Sequence, residues 1–408
     1  MTKLIKKIDG GVCAPKGFKA NAVHCGIRKN RNKRDLTLIY SEVKGTAAAV
    51  YTLNLVKGAP IYVTQNNIKD GYAQAMICNS GNANTCNANG VEIAEKTCSI
   101  LAKELNISEK DIIIASTGVI GQTLNIEPFE EGIPRLVNGL GYEKSSVAAE
   151  GIMTTDTKMK EVAVTFMLGD KECVIGGIAK GSGMINPNMA TMLVFLTTDV
   201  NISQDMLKEA LKEDVKCTYN MVSVDGDTST NDMVSIIANG QSGNQIIKEK
   251  NSDYKIFVKA LNVVNSTLCE MIAKDGEGAT KLMRVHVSGA VNNEDAQIVA
   301  KSVVNSSLVK AAMFGADANW GRILCAIGYS GMKGSADKVD VTFQSAMGKI
   351  DVCEGSFGID FSERIAKEVL SAPDIDVLIN LNEGKGMATA WGCDLTYDYV
   401  KINGDYRT

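Results

Sequence analysis

Short apolar runs alternate with amphipathic stretches along the chain, a pattern that predicts a protein of strands and helices. The apolar run that opens residues 75–84 predicts a buried strand leading into an Asn- and Gly-rich turn. In residues 91–105 the apolar positions recur every three or four residues, which is typical of one face of a helix. Residues 112–114 predict a second buried strand that stops at residues 116–118, and the turn at Gly169 and Asp170 predicts a hairpin.

The second half of the chain continues the same alternation. It predicts strands over residues 191–199, 284–289, 339–343, 349–353 and 375–381, and helices over 203–216, 257–272, around 293–312 and over 361–370. An alternating strand is expected just before the C-terminus. The polar, glycine-rich residues 275–281 predict the boundary between a first unit, residues 1–281, and a C-terminal unit, residues 282–408. Because hairpins accompany the alternating strands and helices, the predicted fold class is mixed α/β.

Composition and charge narrow the class of protein. The chain has 408 residues and a net charge of −4. A mildly acidic chain lacks the basic surface that would attract nucleic acids or anionic membranes, so we expect neither as a partner. The N-terminal segment lacks the apolar core of a secretory signal, and no run approaches the roughly 18 apolar residues of a membrane span. We therefore expect a cytoplasmic protein.

Metal-binding patterns are weak in this sequence. It holds 11 cysteines and 2 histidines, and no two cysteines have the CxxC spacing. A structural zinc site is therefore not expected, and the thiols of a cytoplasmic chain should be reduced. His24 and His286 are interpreted as surface residues, since most histidines take no part in catalysis. The acidic loop at 225–232 has calcium-like spacing but lacks the distal glutamate of an EF-hand, so no metal site is predicted there.

The most unusual segment is the glycine-rich loop that ends at Ala190 and meets an apolar strand at Thr191. Taken alone, this is a loop entering a strand, where threonine is common. The functional interpretation is a threonine nucleophile that becomes a chain N-terminus when the Ala190–Thr191 peptide is cut. An α-amine has a pKa of about 7.7–8.0, low enough to accept the hydroxyl proton. Threonine with its own amine is a known substitute for a Ser-His pair, and this sequence has no Walker A or GxSxG motif to suggest other chemistry.

Eight stretches of the sequence stand out as motifs, several of them long and uncommon. They are ICNSGNAN (77–84), STGVIG (116–121), MTTDT (153–157), KGSGMINPNMATML (180–193), MVSVDGDTSTND (221–232), DGEGATK (275–281), GADANWGRILCAIGYSG (315–331) and AWGCDLTYDYVKINGDYRT (390–408). These stretches resemble motifs of the ornithine acetyltransferase family, the glutamate N-acetyltransferases of arginine biosynthesis, and they occur in the family's order. The resemblance covers essentially the whole chain. Its one departure is Asn186, which lies outside the predicted cut.

The resemblance implies a fold and a maturation step. The implied fold is an α-β-β-α sandwich of the type found in N-terminal-nucleophile aminopeptidases, with a smaller C-terminal α/β domain. The implied maturation is self-cleavage between Ala190 and Thr191. Its products are an α chain of residues 1–190 and a β chain of residues 191–408, which pair as an α2β2 assembly.

The resemblance also implies roles for single residues. Thr117 and Gly118 match the oxyanion-hole pair. Without the resemblance, these residues would be interpreted as an ordinary turn at the end of a strand. By charge, Lys180 suits a substrate α-carboxylate and Glu277 suits an amine, whereas lone charges are otherwise usually solvated. The repeated threonine in MTTDT leaves open whether Thr154 or its neighbour contacts the substrate. The implied substrate-binding residues are Thr154, Lys180, Thr191, Glu277, Asn403 and Thr408.

The implied activity is ping-pong transfer of an acetyl group from N2-acetyl-ornithine to glutamate through an acetyl-threonine ester. No metal or bound cofactor is implied, and the sequence leaves open whether acetyl-CoA is also a donor. One alternative is an N-terminal-threonine aminopeptidase or amidohydrolase of the same fold, in which water accepts the acyl group. Another is a binding protein that remains one uncut chain.

Overall fold

The computed structural model of the chain describes residues 5–186 and 192–405. Over these residues it forms sixteen strands and eleven α-helices. The strands are β1 Ile5–Ile8, β2 Phe18–Val23, β3 Leu36–Tyr51, β4 Tyr72–Asn79, β5 Ile112–Ser116, β6 Lys160–Leu168, β7 Lys171–Lys180, β8 Leu193–Thr198, β9 Val222–Ser223, β10 Met233–Ala238, β11 Leu282–Ala290, β12 Asp340–Ser345, β13 Gly348–Glu354, β14 Phe357–Gly358, β15 Asp374–Asn380 and β16 Gly386–Cys393. The helices are α1 Ala59–Asn67, α2 Gly90–Leu105, α3 Glu127–Asn138, α4 Ser145–Gly151, α5 Gln204–Cys217, α6 Ser252–Lys274, α7 Asn293–Asn305, α8 Ser307–Phe314, α9 Trp320–Gly328, α10 Glu363–Leu370 and α11 Tyr397–Gly404.

Two predicted elements differ from the structure, and capping side chains explain both differences. The helix expected around 293–312 is two helices, because the side chain of Ser306 accepts a hydrogen bond from the backbone N–H of Val309 and starts α8. The alternating strand expected before the C-terminus, over residues 389–403, is confirmed as far as Cys393 and is wrong beyond it. Thr396 accepts the backbone N–H of Tyr399, so the segment is the helix α11.

The chain forms two compact units, and the first comprises residues 5–181, 192–216 and 228–268 of the described chain. Its nine-stranded sheet has the order β1-β6-β7-β8-β10-β3-β4-β5, and β2 pairs with the long strand β3. The pairs β4–β5 and β8–β10 are parallel, and the other pairs are antiparallel. Hairpins and crossovers therefore share one sheet, as the mixed α/β class predicts.

Alternation along the central strands divides the apolar side chains of the first unit between two clusters. Leu38, Ile77 and Ile114 belong to a cluster that includes apolar residues of α1, α2 and α3. Their chain neighbours, such as Ile113, belong to the second cluster, because successive side chains of a strand point to opposite faces. Full burial of each such side chain stabilises the fold by about 1.5–3 kcal/mol.

The second unit comprises residues 182–186, 217–227 and 269–405 of the described chain. Its seven-stranded sheet has the order β14-β13-β12-β15-β11-β16-β9. Helix α7 packs on β11 and β16, and α10 packs on β12 and β13. The mixed α/β class is confirmed in both units. The domain boundary between residues 281 and 282 stays a prediction. Along the chain, the last passage from the first compact unit to the second falls after residue 268.

Among the described residues one helix, α6, is long and apolar enough to cross a membrane. Half of its most apolar stretch is buried inside the protein, as in the core helix of a globular unit. Val264 and Leu268 are fully buried, and both lie beside Gly177 of β7. A Cβ at Gly177 would lie 3.2 Å from Leu268 Cδ1, so the glycine lets the helix approach the sheet.

Candidate active site

The turn after β5 carries the predicted oxyanion-hole pair and packs closely against the end of β4 and the residues that follow it. Thr117 and Gly118 follow the buried end of the strand and are themselves half-buried. The Thr117 N–H donates to the Asn79 carbonyl at 2.9 Å, which ties the turn to β4. Gly118 has φ +126°, and a Cβ there would lie 2.7 Å from the carbonyl carbon of Gly81. The turn therefore requires glycine, and its backbone has little freedom to move.

Asparagine side chains hold this turn from two directions. Asn79 Nδ2 donates to Ser116 Oγ at 2.7 Å, and Asn79 Oδ1 accepts the Asn82 N–H at 3.0 Å. Asn231 Nδ2 donates to the Ser116 carbonyl at 2.9 Å. Sequence reasoning missed these roles, although Asn79 and Asn231 both lie within the motifs that carry the family resemblance. The density of asparagine after a buried strand was the available signal.

Asp156 connects two of the predicted substrate-binding positions. Its Oδ2 accepts the Thr154 N–H at 2.9 Å, and its Oδ1 accepts the Gly181 N–H and Lys160 Nζ, both at 2.7 Å. Gly181 directly follows Lys180 at the end of β7, so one carboxylate links Thr154 to the Lys180 segment. Lys180 is only 8% exposed and is not a solvated surface charge.

Two buried carboxyl groups near Lys180 have opposite electrostatic character. Burial alone would raise the pKa of Asp156, but Lys160 and Lys180 outweigh it and hold that pKa well below its usual range. Burial raises the pKa of Asp232 well above its usual range, although Ser229 and Lys180 oppose the shift. No described residue gives Asp232 Oδ2 a hydrogen bond. Lys180 therefore lies near one carboxyl group that stays ionised, Asp156, and one whose protonated form is favoured, Asp232.

The second unit brings two predicted substrate-binding residues into direct contact. Asn403 Nδ2 donates to Glu277 Oε2 at 2.8 Å. Glu277 is 8% exposed, and its backbone N–H donates to the Ser182 carbonyl at 2.9 Å. A Cβ at Gly183 would lie 2.3 Å from Glu277 Oε2, so this position must be glycine for the carboxylate to lie where it does. Glu277 is thus a buried, held carboxylate rather than a solvated charge.

The structure describes only some of the remaining residues that the sequence singled out. Ala190, Thr191 and Thr408 lie outside the described residues, so their predicted roles stay predictions. His286 is a partly exposed residue of β11 whose Nε2 lies 3.0 Å from Asp376 Oδ1. Over residues 5–186 and 192–405, no group of three or more His, Cys, Asp or Glu side chains is arranged to hold a metal ion.

Comparison with known proteins gives matches along nearly the whole chain. The model of the ArgJ family matches residues 19–408. Arginine biosynthesis bifunctional protein ArgJ 1 of Clostridium acetobutylicum is 51% identical over 392 residues, which are 96% of each chain. Arginine biosynthesis bifunctional protein ArgJ of Caldanaerobacter subterraneus subsp. tengcongensis is 50% identical, over 98% of this chain and 99% of its own. The crystal structure of arginine biosynthesis bifunctional protein ArgJ from Bacillus halodurans is 46% identical with a TM-score of 0.50, and it covers 52% of this chain and 98% of its own.

Proposed function

Because this chain belongs to the ArgJ family, we propose that it is a self-processing enzyme that moves the acetyl group of N2-acetyl-L-ornithine to L-glutamate. The family and fold type predicted from the sequence are confirmed, and so is the enzyme class, an acyltransferase of arginine biosynthesis. The observation that carries the proposal is the nearly end-to-end match to ArgJ relatives. Because those relatives are named bifunctional, we include acetyl-CoA as a second acetyl donor. We further propose an α2β2 assembly in the cytoplasm.

Self-processing begins with the Thr191 hydroxyl. Its oxygen attacks the Ala190 carbonyl carbon, the peptide C–N bond breaks, and the Thr191 nitrogen takes the proton as an ester forms. Water then hydrolyses the ester, leaving a carboxylate on Ala190 and a free α-amine on Thr191. The solved relative supports this step, because its chain matches over 98% of its own length yet covers only 52% of this chain. A chain of about half length is what a cut at this position produces.

Acetyl transfer then uses the new amine as a general base. Thr191 Oγ attacks the acetyl carbonyl while its amine accepts the proton, and the Thr117 hydroxyl and Gly118 N–H stabilise the oxyanion. One such donor typically contributes about 2.7–4 kcal/mol to the transition state. Ornithine leaves with the proton. The amine of glutamate then attacks the acetyl carbonyl, the ester C–O bond breaks, and the proton that the glutamate nitrogen loses passes through the Thr191 amine to Thr191 Oγ, which releases N-acetylglutamate. The held turn at Thr117 and Gly118 supports this role, since rigid donors need no reorganisation during the reaction.

Substrate binding is assigned to buried charges. We propose that Lys180 binds the substrate α-carboxylate and that Glu277, held by Asn403, binds the side-chain ammonium. Both charged groups are 8% exposed, and water screens an ion pair less in such a site than at the surface. Reversing either charge should raise the KM for N2-acetyl-ornithine strongly, and an unchanged KM for both variants would refute the two pairings.

The proposal is tested by the mass of the purified chain under denaturing conditions, beside a Thr191→Ala variant. We expect the wild-type chain to yield two pieces of about half its 43.6 kDa and the variant to stay whole. A wild-type chain that stays whole would remove the general base and favour the binding-protein alternative.

Acetyl release measured with and without glutamate separates a transferase from a hydrolase. Transfer requires glutamate for turnover, and N-acetylglutamate accumulates with the ornithine released. Equal ornithine release without glutamate, with acetate as the second product, would support the amidohydrolase alternative instead.

A further inference from the structure

Residues 182–186 precede the predicted cut, and one carboxylate binds the backbone at the centre of this segment. Asp225 Oδ2 accepts the Met184 N–H at 2.6 Å, and Asp225 Oδ1 accepts the Ile185 N–H at 2.9 Å. The Val224 N–H donates to the Ile185 carbonyl at 2.7 Å, and Asn186 Nδ2 donates to the Gly226 carbonyl at 2.8 Å. The loop that looked calcium-like in the sequence therefore binds backbone of its own chain.

The backbone at this contact is unusual. Met184 has φ +56°, a left-handed conformation that residues other than glycine adopt rarely. This conformation turns two successive N–H groups toward the same side, which makes a concave site for an anion. Asp225 supplies that anion. A strained residue persists only where its surroundings hold it, and here the carboxylate does so.

Asp225 is also joined to the helix that carries a predicted substrate-binding residue. The Tyr399 hydroxyl of α11 donates to Asp225 Oδ2 at 3.3 Å. Burial, and then the nearby Asp225 charge, raise the pKa of Tyr399, so its hydroxyl keeps the proton that it donates. One turn further along α11, Asn403 donates to Glu277. Asp225 thus receives contacts from both the segment before the predicted cut and the C-terminal helix.

We propose that Asp225 is a positioning residue for self-cleavage. Its carboxylate holds the backbone N–H groups of Met184 and Ile185 and so sets the position and direction in which the chain leaves this segment, a few residues before the predicted cut. The Thr191 hydroxyl and the carbonyl it attacks must meet at about 3–3.5 Å, and a displacement of about 1 Å can slow such a reaction about 100-fold. The inference rests on the proposed self-processing, because it assigns no part of the acetyl-transfer step to Asp225.

The test follows cleavage of newly synthesised full-length chain on a denaturing gel after translation is stopped. Asp225→Asn removes the charge and should slow cleavage by at least about tenfold, because the two N–H groups lose their shared anion. Asp227→Asn is the matched control, since it removes the same charge from an exposed position two residues away and should change the rate by less than about twofold. Asp225→Glu restores the charge and should recover part of the rate, which a purely steric role would not predict.

Tyr399→Phe keeps the proposal testable if Asp225→Asn fails to fold, because it removes only one donor and should still slow cleavage measurably. A wild-type chain that stays whole would refute the proposed function itself. A wild-type chain that splits, with Asp225→Asn or Tyr399→Phe splitting as fast as Asp227→Asn, would overturn the role of Asp225 alone.

Discussion

Asp156 is almost completely buried, and yet its surroundings keep its carboxyl ionised. Taking a carboxylate out of water is costly unless ion pairs and hydrogen bonds compensate. Here Lys160 and two backbone N–H groups supply that compensation. The result is a fixed link between Thr154 and the segment after Lys180. At the scale of residues, the candidate site is built from charges that the fold holds in place rather than from mobile surface groups.

Replacing Asp156 by Asn should destabilise the chain by about 3–5 kcal/mol at pH 7, because Lys160 loses its carboxylate partner inside the protein. The folded-state pKa of Asp156 lies below its unfolded value of about 3.9, so the contribution is complete above that pH and is lost as the pH falls further. Denaturant unfolding from pH 7 to pH 3 measures this contribution. The measurement uses a Thr191→Ala background, which we expect to stay one chain.

The difference in unfolding free energy between the Asp156→Asn variant and its parent chain should become smaller below about pH 4. Asp170→Asn is the control, since the Asp170 side chain is 85% exposed and its loss should hardly change the unfolding free energy. A gap of constant size from pH 7 to pH 3 would contradict the ionised carboxylate.

At the scale of elements, the start of α11 determines where Asn403 lies. Thr396 accepts the Tyr399 N–H at 3.3 Å and donates through Oγ1 to the Gly278 carbonyl at 2.7 Å. Gly278 directly follows Glu277, so one hydroxyl both caps the helix and attaches it to the loop that carries the buried carboxylate. The contact between Asn403 and Glu277 depends on this attachment.

Thr396→Ala should remove about 1 kcal/mol of helix-cap stabilisation and raise the KM for N2-acetyl-ornithine several-fold. Hydrogen exchange over residues 397–404 and steady-state kinetics check the two effects. Ser362→Ala is the matched control, because Ser362 caps α10 in the same way by accepting the Ile365 N–H at 3.4 Å. The control should lose similar stability with no change in KM. Equal KM values for both variants would contradict the role of the Thr396 cap.

The elements that local pattern alone defines were predictable. The spacing of apolar residues predicts α2, and a continuous apolar run predicts β5. The C-terminal helix was missed because its alternating apolar positions resemble a strand. Thr396 caps this helix locally, but its second contact, with the Gly278 carbonyl, is with a loop 118 residues earlier in the chain. The motifs indicated the turn at Thr117 and Gly118. The support from Asn231 and Asp156 was not predictable, since it joins segments that are adjacent only in the folded chain.

At the scale of the whole molecule, all 11 cysteines lie among the described residues and none of them forms a disulfide. Cys86, Cys217 and Cys325 are exposed, Cys13 is half-buried, and the others are buried. Burial raises the pKa of Cys78 to about 12, which keeps its reactive thiolate scarce at neutral pH. We therefore expect thiol reactivity across the chain to follow exposure.

A thiol-specific reagent should label three cysteines of the native protein quickly and all 11 only after unfolding. The measurement is the mass gained with time, without a reducing agent. A variant with serine at 86, 217 and 325 should show no rapid labelling. Fewer than 11 labels in denaturant would reveal a disulfide and contradict the free thiols.

Strands β7 and β8 are antiparallel neighbours, with Lys180 opposite Leu193, and the proposed cut lies in the chain between them. The two products would therefore share one continuous hydrogen-bonded sheet. The uncut chain reaches this sheet by a unimolecular reaction, whereas separated products would have to find each other by diffusion. The proposed cleavage would thus make refolding of the mature protein a concentration-dependent, second-order process. The mature enzyme would then persist because it unfolds slowly, and its fold would have formed in the uncut chain before cleavage.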